Sequence, residues 1–199
     1  SLVGSEMCIR DRAWSFHYGA EVEQNYTEAL KWYEKAASQN HPGGIRGMGQ
    51  FFENGYIGKP NLEKAAEYYL KAANLGDVIA EYNIGVFYEY GEVVEKNIHK
   101  AIEYYKRAAE KGDRSAQLNI GSIFINGSDD LAPNYVEAKK FLEQAASQEH
   151  PKAYGNLALI YSQGLGVEKN LELAATLMEK SAELGSPHAQ SVSYTHLRA

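Results

Sequence analysis

An aromatic residue, two further residues and a glycine recur along this chain of 199 residues, with steps of 36, 36, 36 and 37 between the aromatics. An asparagine series and an alanine series keep the same phase, with the alanine four residues after the asparagine. A fixed period of this length is typical of stacked repeat proteins, in which each repeat packs only on its neighbours. The series are Phe16, Phe52, Tyr88, Phe124 and Tyr161; Asn25, Asn61, Asn97, Asn134 and Asn170; and Ala29, Ala65, Ala101, Ala138 and Ala174.

Each repeat is predicted to be a hairpin of two helices, here termed helix A and helix B. In the third repeat, apolar residues in 80–90 and 97–111 recur at three- and four-residue steps, which is the period of an α-helix. The asparagine series stands where helix B begins, and it is predicted to cap the first turn. Glu28 and Glu137 follow their asparagines by three residues, which predicts capping boxes in two repeats.

Small residues recur at one position of helix A, and they predict a close approach between neighbouring backbones. A glycine inside a helix costs about 1 kcal/mol relative to alanine, so its recurrence indicates a steric reason. Aromatic pairs on helix B, such as Tyr104 and Tyr105, are predicted to fill the space between hairpins. The small residues are Gly49, Gly85, Gly121 and Ala158.

Both ends of the chain depart from the repeat. Back-translation of Met7–Arg12 and Val192–Leu197 gives strings that are reverse complements and resemble the transposase mosaic end used in sequencing libraries. We therefore expect residues 1–12 and 191–199 to be adapter-derived, and the repeats to occupy 13–190, partial at both ends.

The period predicts five B helices and four complete A helices. Residues 13–18 are interpreted as the remainder of an earlier helix A, and 187–190 as the beginning of a further one. The complete A helices are expected to start near Gly44, Ala80, Ala116 and Ala153.

Composition argues against several classes of partner. The net charge of −6 disfavours contacts with a phosphate backbone, so we expect no nucleic acid partner. No apolar run approaches the roughly 20 residues of a membrane helix, so we expect no membrane insertion in this segment. The one cysteine, Cys8, leaves the repeats without a disulfide framework or a thiolate metal cluster. This is compatible with a cytoplasmic protein but does not identify the compartment.

No catalytic, cofactor-binding or metal-binding residue is predicted. His41 and His150 occupy the same turn, each before a proline, and are interpreted as turn residues. His99 falls in the first turn of a helix B and is expected to be exposed. Gly43 and Gly44 precede a helix but follow another helix, which is not the strand–loop–helix context of a phosphate-binding loop.

The stretch from Ala80 to Gly112 resembles the Sel-one-like repeat, a relative of the tetratricopeptide repeat with a slightly longer unit. The matching pattern is Ala-x3-Ile-Gly-x2-Tyr-x2-Gly, then Asn-x3-Ala-x3-Tyr-x2-Ala-Ala-x2-Gly. The resemblance covers residues 13–190 and implies an all-α, right-handed α/α superhelical solenoid. The chain departs from the family in having asparagine rather than aspartate where helix B begins, and a loop one residue longer at 128–133.

The resemblance also implies a function, because family members usually act as adaptors or scaffolds. We therefore expect a non-catalytic protein that binds a protein or an extended peptide along the concave face of the solenoid; its oligomeric state stays open. One alternative is a regulatory or substrate-presenting region of a larger multidomain enzyme. A further alternative is a secreted β-lactam-binding enzyme, but that branch of the family is rich in cysteine.

In the related tetratricopeptide fold, helix A lines the concave face, and eight helix A residues are predicted to bind the partner. Two tyrosines would act as anchors, and a row of asparagines can pair with a peptide backbone. Alternatively, each asparagine ties its own hairpin to the next by bonding a backbone carbonyl. This predicted binding face, centred on the third and fourth repeats, comprises Tyr82, Asn83, Val86, Tyr90, Leu118, Asn119, Ser122 and Asn156.

Overall fold

The computed structural model describes residues 2–186, with side chains from residue 9 onward, and in this range it contains ten α-helices and no strand. The repeat fold is therefore all-α, as predicted. The helices are α1 Leu2–Tyr18, α2 Tyr26–Ser38, α3 Pro42–Asn54, α4 Leu62–Asn74, α5 Val78–Tyr90, α6 Ile98–Glu110, α7 Arg114–Asn126, α8 Tyr135–Ser147, α9 Pro151–Gln163 and α10 Leu171–Glu183.

Odd-numbered helices are the A helices and even-numbered helices are the B helices, which confirms the five B helices. The complete A helices start about two residues before the predicted positions, because the residue preceding each of them is an N-cap. In α5, for example, Asp77 caps the helix by accepting a hydrogen bond from the amide of Ala80. Helix α1 begins at Leu2 and not near Ala13. The segments 187–190 and 191–199 lie outside the described residues.

The chain divides into two compact units, residues 1–107 and 108–199, with the boundary inside α6. In unit 1, α1 packs on α2 and α3 packs on α4, and each hairpin is followed by a helix A that packs on it. In unit 2, α7 packs on α8 and α9 packs on α10 in the same way. The predicted helix hairpins are thus present in both units.

One backbone hydrogen bond closes every A–B loop and links two of the sequence series. The amide of the asparagine donates to the carbonyl of the aromatic residue in the last turn of helix A, and the asparagine side chain accepts from the amide three residues later. The capping boxes predicted at Glu28 and Glu137 are therefore wrong, because the amide that each would need is already used. The pairs are Asn25–Phe16, Asn61–Phe52, Asn97–Tyr88, Asn134–Phe124 and Asn170–Tyr161.

The small residues on helix A make room for a side chain of helix B in the same hairpin. A Cβ atom on Gly85 would lie 2.6 Å from the ring of Tyr105, and one on Gly121 would lie 2.5 Å from Cγ of Leu142. The close approach is confirmed, but it brings a helix A backbone against a helix B side chain and not against another backbone. At these two positions a side chain larger than glycine would overlap the ring of Tyr105 or the side chain of Leu142.

A carboxylate satisfies the buried tyrosine hydroxyl of two repeats. The hydroxyl of Tyr69 donates to Oε2 of Glu53, and that of Tyr105 donates to Oε2 of Glu89, both at 2.6 Å. Burial is the main cause that raises the pKa of Tyr69, and the Glu53 carboxylate raises it further. The fourth repeat replaces both polar partners together, so that no buried hydroxyl is left. Its residues at these positions are Ile125 and Leu142.

Candidate partner-binding face

The third repeat carries four residues of the predicted binding face, all within unit 1. Tyr90 is the most accessible, with 64% of its surface exposed, as expected for an anchor. Tyr82 and Val86 are half-buried, and the ring of Tyr82 lies 5.7 Å from that of Tyr105. The fourth residue, Asn83, interacts with the side chain of Tyr69 and acts to lower the pKa of that phenol. Its carboxamide is therefore already engaged with the preceding repeat.

In unit 2, two of the predicted residues bind each other. Nδ2 of Asn156 donates to Oγ of Ser122 at 2.9 Å, which links the A helices of the fourth and fifth repeats. Asn119 also has an interaction partner. Leu118 is only 8% exposed, so the expectation that it offers surface to a partner is wrong. It is therefore not part of the binding face.

These contacts favour the interpretation that the asparagines join neighbouring repeats. Asn156 bonds the side chain of Ser122 in the adjacent repeat, and Asn83 interacts with the side chain of Tyr69 in the preceding one. Neither contact is the bond to a backbone carbonyl that was expected. Their carboxamides are thus committed within the chain, although each can still form further hydrogen bonds. The exposed surface of the face comes mainly from its other side chains.

Sequence reasoning missed a cavity of about 400 Å³ that lies within unit 1. Its exposed apolar walls are Trp14, Tyr18 and Ile79, and Arg46 and Gln50 also line it. The repeat period could have indicated these residues. Trp14 and Gln50 occupy the position of helix A that Val86 occupies in the third repeat, and Arg46 occupies the position of Tyr82. The same face of helix A therefore continues into the first two repeats, where it forms a concavity. Its remaining lining residues are Arg10, Asp11, Tyr33 and Gly43.

Arg46 is held in place at this cavity by two contacts. Its Nε lies 3.2 Å from the carboxylate of Asp77, and its Nη1 lies 3.4 Å from Oε1 of Gln50. The cavity is also next to a buried phenol. Burial raises the pKa of Tyr33 to about 12, while the positive charges of Arg46 and Arg10 act in the opposite direction.

A buried ion pair positions the helix A of the third repeat. Glu81 is fully buried, and its Oε1 accepts from Nε of Arg107 at 3.0 Å, while Nη2 of Arg107 donates to the carbonyl of Ala73 at 2.7 Å. Arg107 thus joins α5 to the last turn of α4. In unit 2, Gln117 has the phase of Glu81 and donates to the carbonyl of Ala109 at 3.2 Å. These buried polar groups position helix A, but they are not part of the predicted binding face.

The histidines predicted to be turn residues are confirmed as such. Nδ1 of His41 lies 3.3 Å from the amide of Gly44 and caps α3, and His150 directly precedes α9. His99 is exposed, as expected. Within residues 2–186, no group of three or more His, Cys, Asp or Glu side chains is arranged to hold a metal ion. No helix in that range combines the length and apolar character that crossing a bilayer requires.

His17 is buried in an aromatic cluster of unit 1. It is only 2% exposed, its ring stacks on that of Tyr18 at 4.2 Å, and its Nδ1 lies 3.3 Å from the hydroxyl of Tyr33. Its Nε2 has no hydrogen-bond partner among the described residues. Burial lowers the pKa of His17 from its ordinary value of 6.5, because the charged imidazolium would lose its hydration.

We expect the free energy of unfolding to fall as the pH falls through 6.5, the ordinary histidine pKa. Below that value the unfolded chain binds a proton that the folded chain resists, so stability is lost with acid. Urea unfolding between about pH 7.5 and 5.5 would measure this, and a His17→Phe variant should show a smaller dependence. The exposed His99 provides the control as His99→Gln, which removes a histidine outside the buried aromatic cluster. Equal slopes for all three proteins would contradict the assignment to His17.

The family model of the Sel1 repeat matches the chain five times, over residues 9–41, 44–77, 78–113, 114–150 and 151–186. These matches follow the hairpins seen in the structure, each beginning in a helix A and extending past the following helix B. No curated protein sequence is significantly similar to the chain.

Solved structures of Sel1 repeat proteins are similar to the chain. A Sel1 repeat protein from Oxalobacter formigenes is 26% identical, with a TM-score of 0.86 over 94% of this chain and 76% of that one. The protective antigen c5321 of uropathogenic Escherichia coli, which displays an SLR fold, is 28% identical, with a TM-score of 0.86 over 96% of this chain and 41% of that one. Helicobacter pylori cysteine rich protein B is 28% identical, with a TM-score of 0.51 over 69% of this chain and 98% of that one. This chain therefore spans less than half the length of c5321.

Proposed function

Because the chain belongs to the Sel1 repeat family, we propose that it is a non-catalytic scaffold or adaptor that binds a protein or an extended peptide along its helix A face. Repeats of this family commonly mediate protein interactions. The proposed binding face keeps Tyr82, Asn83, Val86 and Tyr90 in unit 1. In unit 2 it keeps Asn119, Ser122 and Asn156.

The observation that supports the proposal most strongly is the exposure of large apolar side chains on helix A. Tyr90 is 64% exposed although every other aromatic of α5 is buried or half-buried. A large apolar side chain of this kind is a frequent anchor at protein interfaces, where a stiff ring buries much surface at little entropic cost. On the same face of unit 1, Trp14, Tyr18 and Ile79 are also exposed.

The proposal is tested by selecting binders from a phage-displayed library of random peptides on the folded chain. We expect selected peptides to bind, and Tyr90→Ala to weaken them at least about tenfold while the melting temperature stays the same. Val136 is 70% exposed on a helix B, so Val136→Ala is the matched control and should bind normally. Failure to recover any peptide that binds the folded chain would overturn the proposal.

The asparagines need a separate comparison because they bond within the chain. Asn83→Ala is expected to lower the melting temperature, since it removes the interaction with Tyr69 of the preceding repeat. If that variant keeps its peptide affinity, the role of Asn83 is to join repeats; if affinity falls without loss of stability, Asn83 contacts the peptide.

A further inference from the structure

Arg46 supplies the charge that the cavity of unit 1 presents to a ligand. Arg10 and Asp11, which also line the cavity, hydrogen-bond each other through Nε of Arg10 at 2.9 Å, so their charges compensate locally. The partner of Arg46, Asp77, is not a lining residue, and its carboxylate also accepts from the amide of Ala80 at 2.9 Å where α5 begins. The positive N-terminal end of that helix thus neutralises part of the negative charge on Asp77.

The guanidinium of Arg46 keeps donors for a ligand. The contacts with Asp77 and Gln50 involve Nε and Nη1, whereas a guanidinium carries five N–H donors. Its side chain is 20% exposed, so it is accessible from the cavity, while the contacts with Asp77 and Gln50 fix its position. A planar guanidinium held in this way matches a carboxylate, which it can bind through two parallel hydrogen bonds.

Apolar surface lies beside this charge. Trp14 is 51% exposed, Tyr18 is 52% exposed and Ile79 is 45% exposed, and all three line the cavity. The volume of about 400 Å³ lies within the range of about 300–1,000 Å³ that is usual for ligand sites. One bulky apolar side chain next to a carboxylate would therefore meet complementary groups in the same cavity.

We propose that this cavity binds an extended peptide in which an aspartate or glutamate stands next to a bulky apolar residue. The proposal rests on the function proposed above and names the chemistry of the partner. Charge favours this occupant, because the guanidinium of Arg46 lines the cavity while the other two charged lining residues, Arg10 and Asp11, compensate each other. A peptide with lysine at this place would face Arg46 and be repelled. The residues that carry the proposal, Trp14, Tyr18, Arg46 and Ile79, all lie within 13–190.

Binding can be read from Trp14 itself. The chain has two tryptophans, Trp14 and Trp32, so Trp32→Phe leaves the cavity residue as the sole tryptophan. Peptides selected on the folded chain would be synthesised as matched pairs, with each aspartate or glutamate kept or changed to asparagine or glutamine. Each pair would then be titrated into the Trp32→Phe protein while Trp14 emission is recorded.

Two variants test the role of Arg46. Arg46→Gln removes the charge, and Arg46→Gln with Asp77→Asn removes both charges so that neither is left unpaired, while asparagine can still cap α5. The melting temperature of each variant shows whether it folds. Arg114, which donates to the carbonyl of Gln148 in unit 2, provides the matched control as Arg114→Gln.

We expect the selected peptides to carry the acidic–apolar pair, and the amide version to bind at least about tenfold more weakly. The difference in affinity between the acidic and amide peptides should vanish in both Arg46 variants and persist in Arg114→Gln. Trp14 emission should change when a peptide binds. Peptides that bind equally well as acid and amide, that keep their preference without Arg46, or that are rich in lysine would overturn this inference and leave the proposed function standing. Recovery of no binding peptide would overturn both.

Discussion

Arg107→Ala is expected to lower the free energy of unfolding by about 3 kcal/mol, the low end of the range for breaking a buried ion pair. The loss arises because Glu81, which is 0% exposed, would keep a buried carboxylate without its guanidinium. The carbonyl of Ala73 would also lose its donor, and Tyr104 would lose the cation that lies 5.1 Å above its ring. The value stays at the low end because the Arg107 side chain is 35% exposed, so water can replace part of the interaction. Urea unfolding at neutral pH measures it.

The double variant Glu81→Ala with Arg107→Ala separates the ion pair from ordinary packing. It should be less destabilised than Arg107→Ala alone, because no buried charge is left. Arg114→Ala serves as the control and should change the stability by no more than about 0.5 kcal/mol, since Arg114 is exposed. If the double variant costs as much as the two single changes added together, Arg107 stabilises α5 by some means other than this pair.

Gly85→Ala is expected to destabilise the chain by about 2 kcal/mol, even though alanine favours a helix more than glycine does. The new Cβ atom would lie 2.6 Å from Cδ1 and Cε1 of Tyr105, whose ring is fully buried and whose hydroxyl is bonded to Glu89. A ring held at both ends cannot move aside, so the helices must separate. Thermal or urea unfolding detects the change.

The fifth repeat suggests the compensating change. At the phase of Gly85 and Tyr105 it has Ala158 and Met178, a larger residue on helix A and a flexible one on helix B. Tyr105→Met should therefore recover at least about 1 kcal/mol of the Gly85→Ala loss when the two are combined. Strict additivity of the two changes would show that the ring of Tyr105 is not what excludes a side chain at Gly85.

Most of the helical framework could be predicted from the sequence, because its determinants lie within one hairpin. The asparagine caps, the aromatic residues whose carbonyls receive the asparagine amides, and the small residues opposite Tyr105 and Leu142 all recur with the period. The capping boxes failed for a local reason that the pattern does not reveal. The amide of Asn25 is used by the carbonyl of Phe16, nine residues earlier, once the loop has closed.

The candidate face was predicted less well, because its side chains find their partners in neighbouring repeats. Asn156 bonds Ser122 and Asn83 interacts with Tyr69, although both look like surface residues by phase. Leu118 occupies the phase of Tyr82, yet it is buried. Position on the helix indicates the direction of a side chain, but not whether the adjacent repeat covers it.

By itself the sequence determined the period, the hairpin boundaries and the residues of each hairpin core, since these follow from helical periodicity, capping and side-chain size. Only the tertiary structure decided which face residues stay exposed, which ones bond an adjacent repeat, and where a cavity opens beside Arg46. The physical reason is that repeats share their intrahairpin contacts but differ in the variable side chains they present to one another. Exposure and charge on the face depend on those differences.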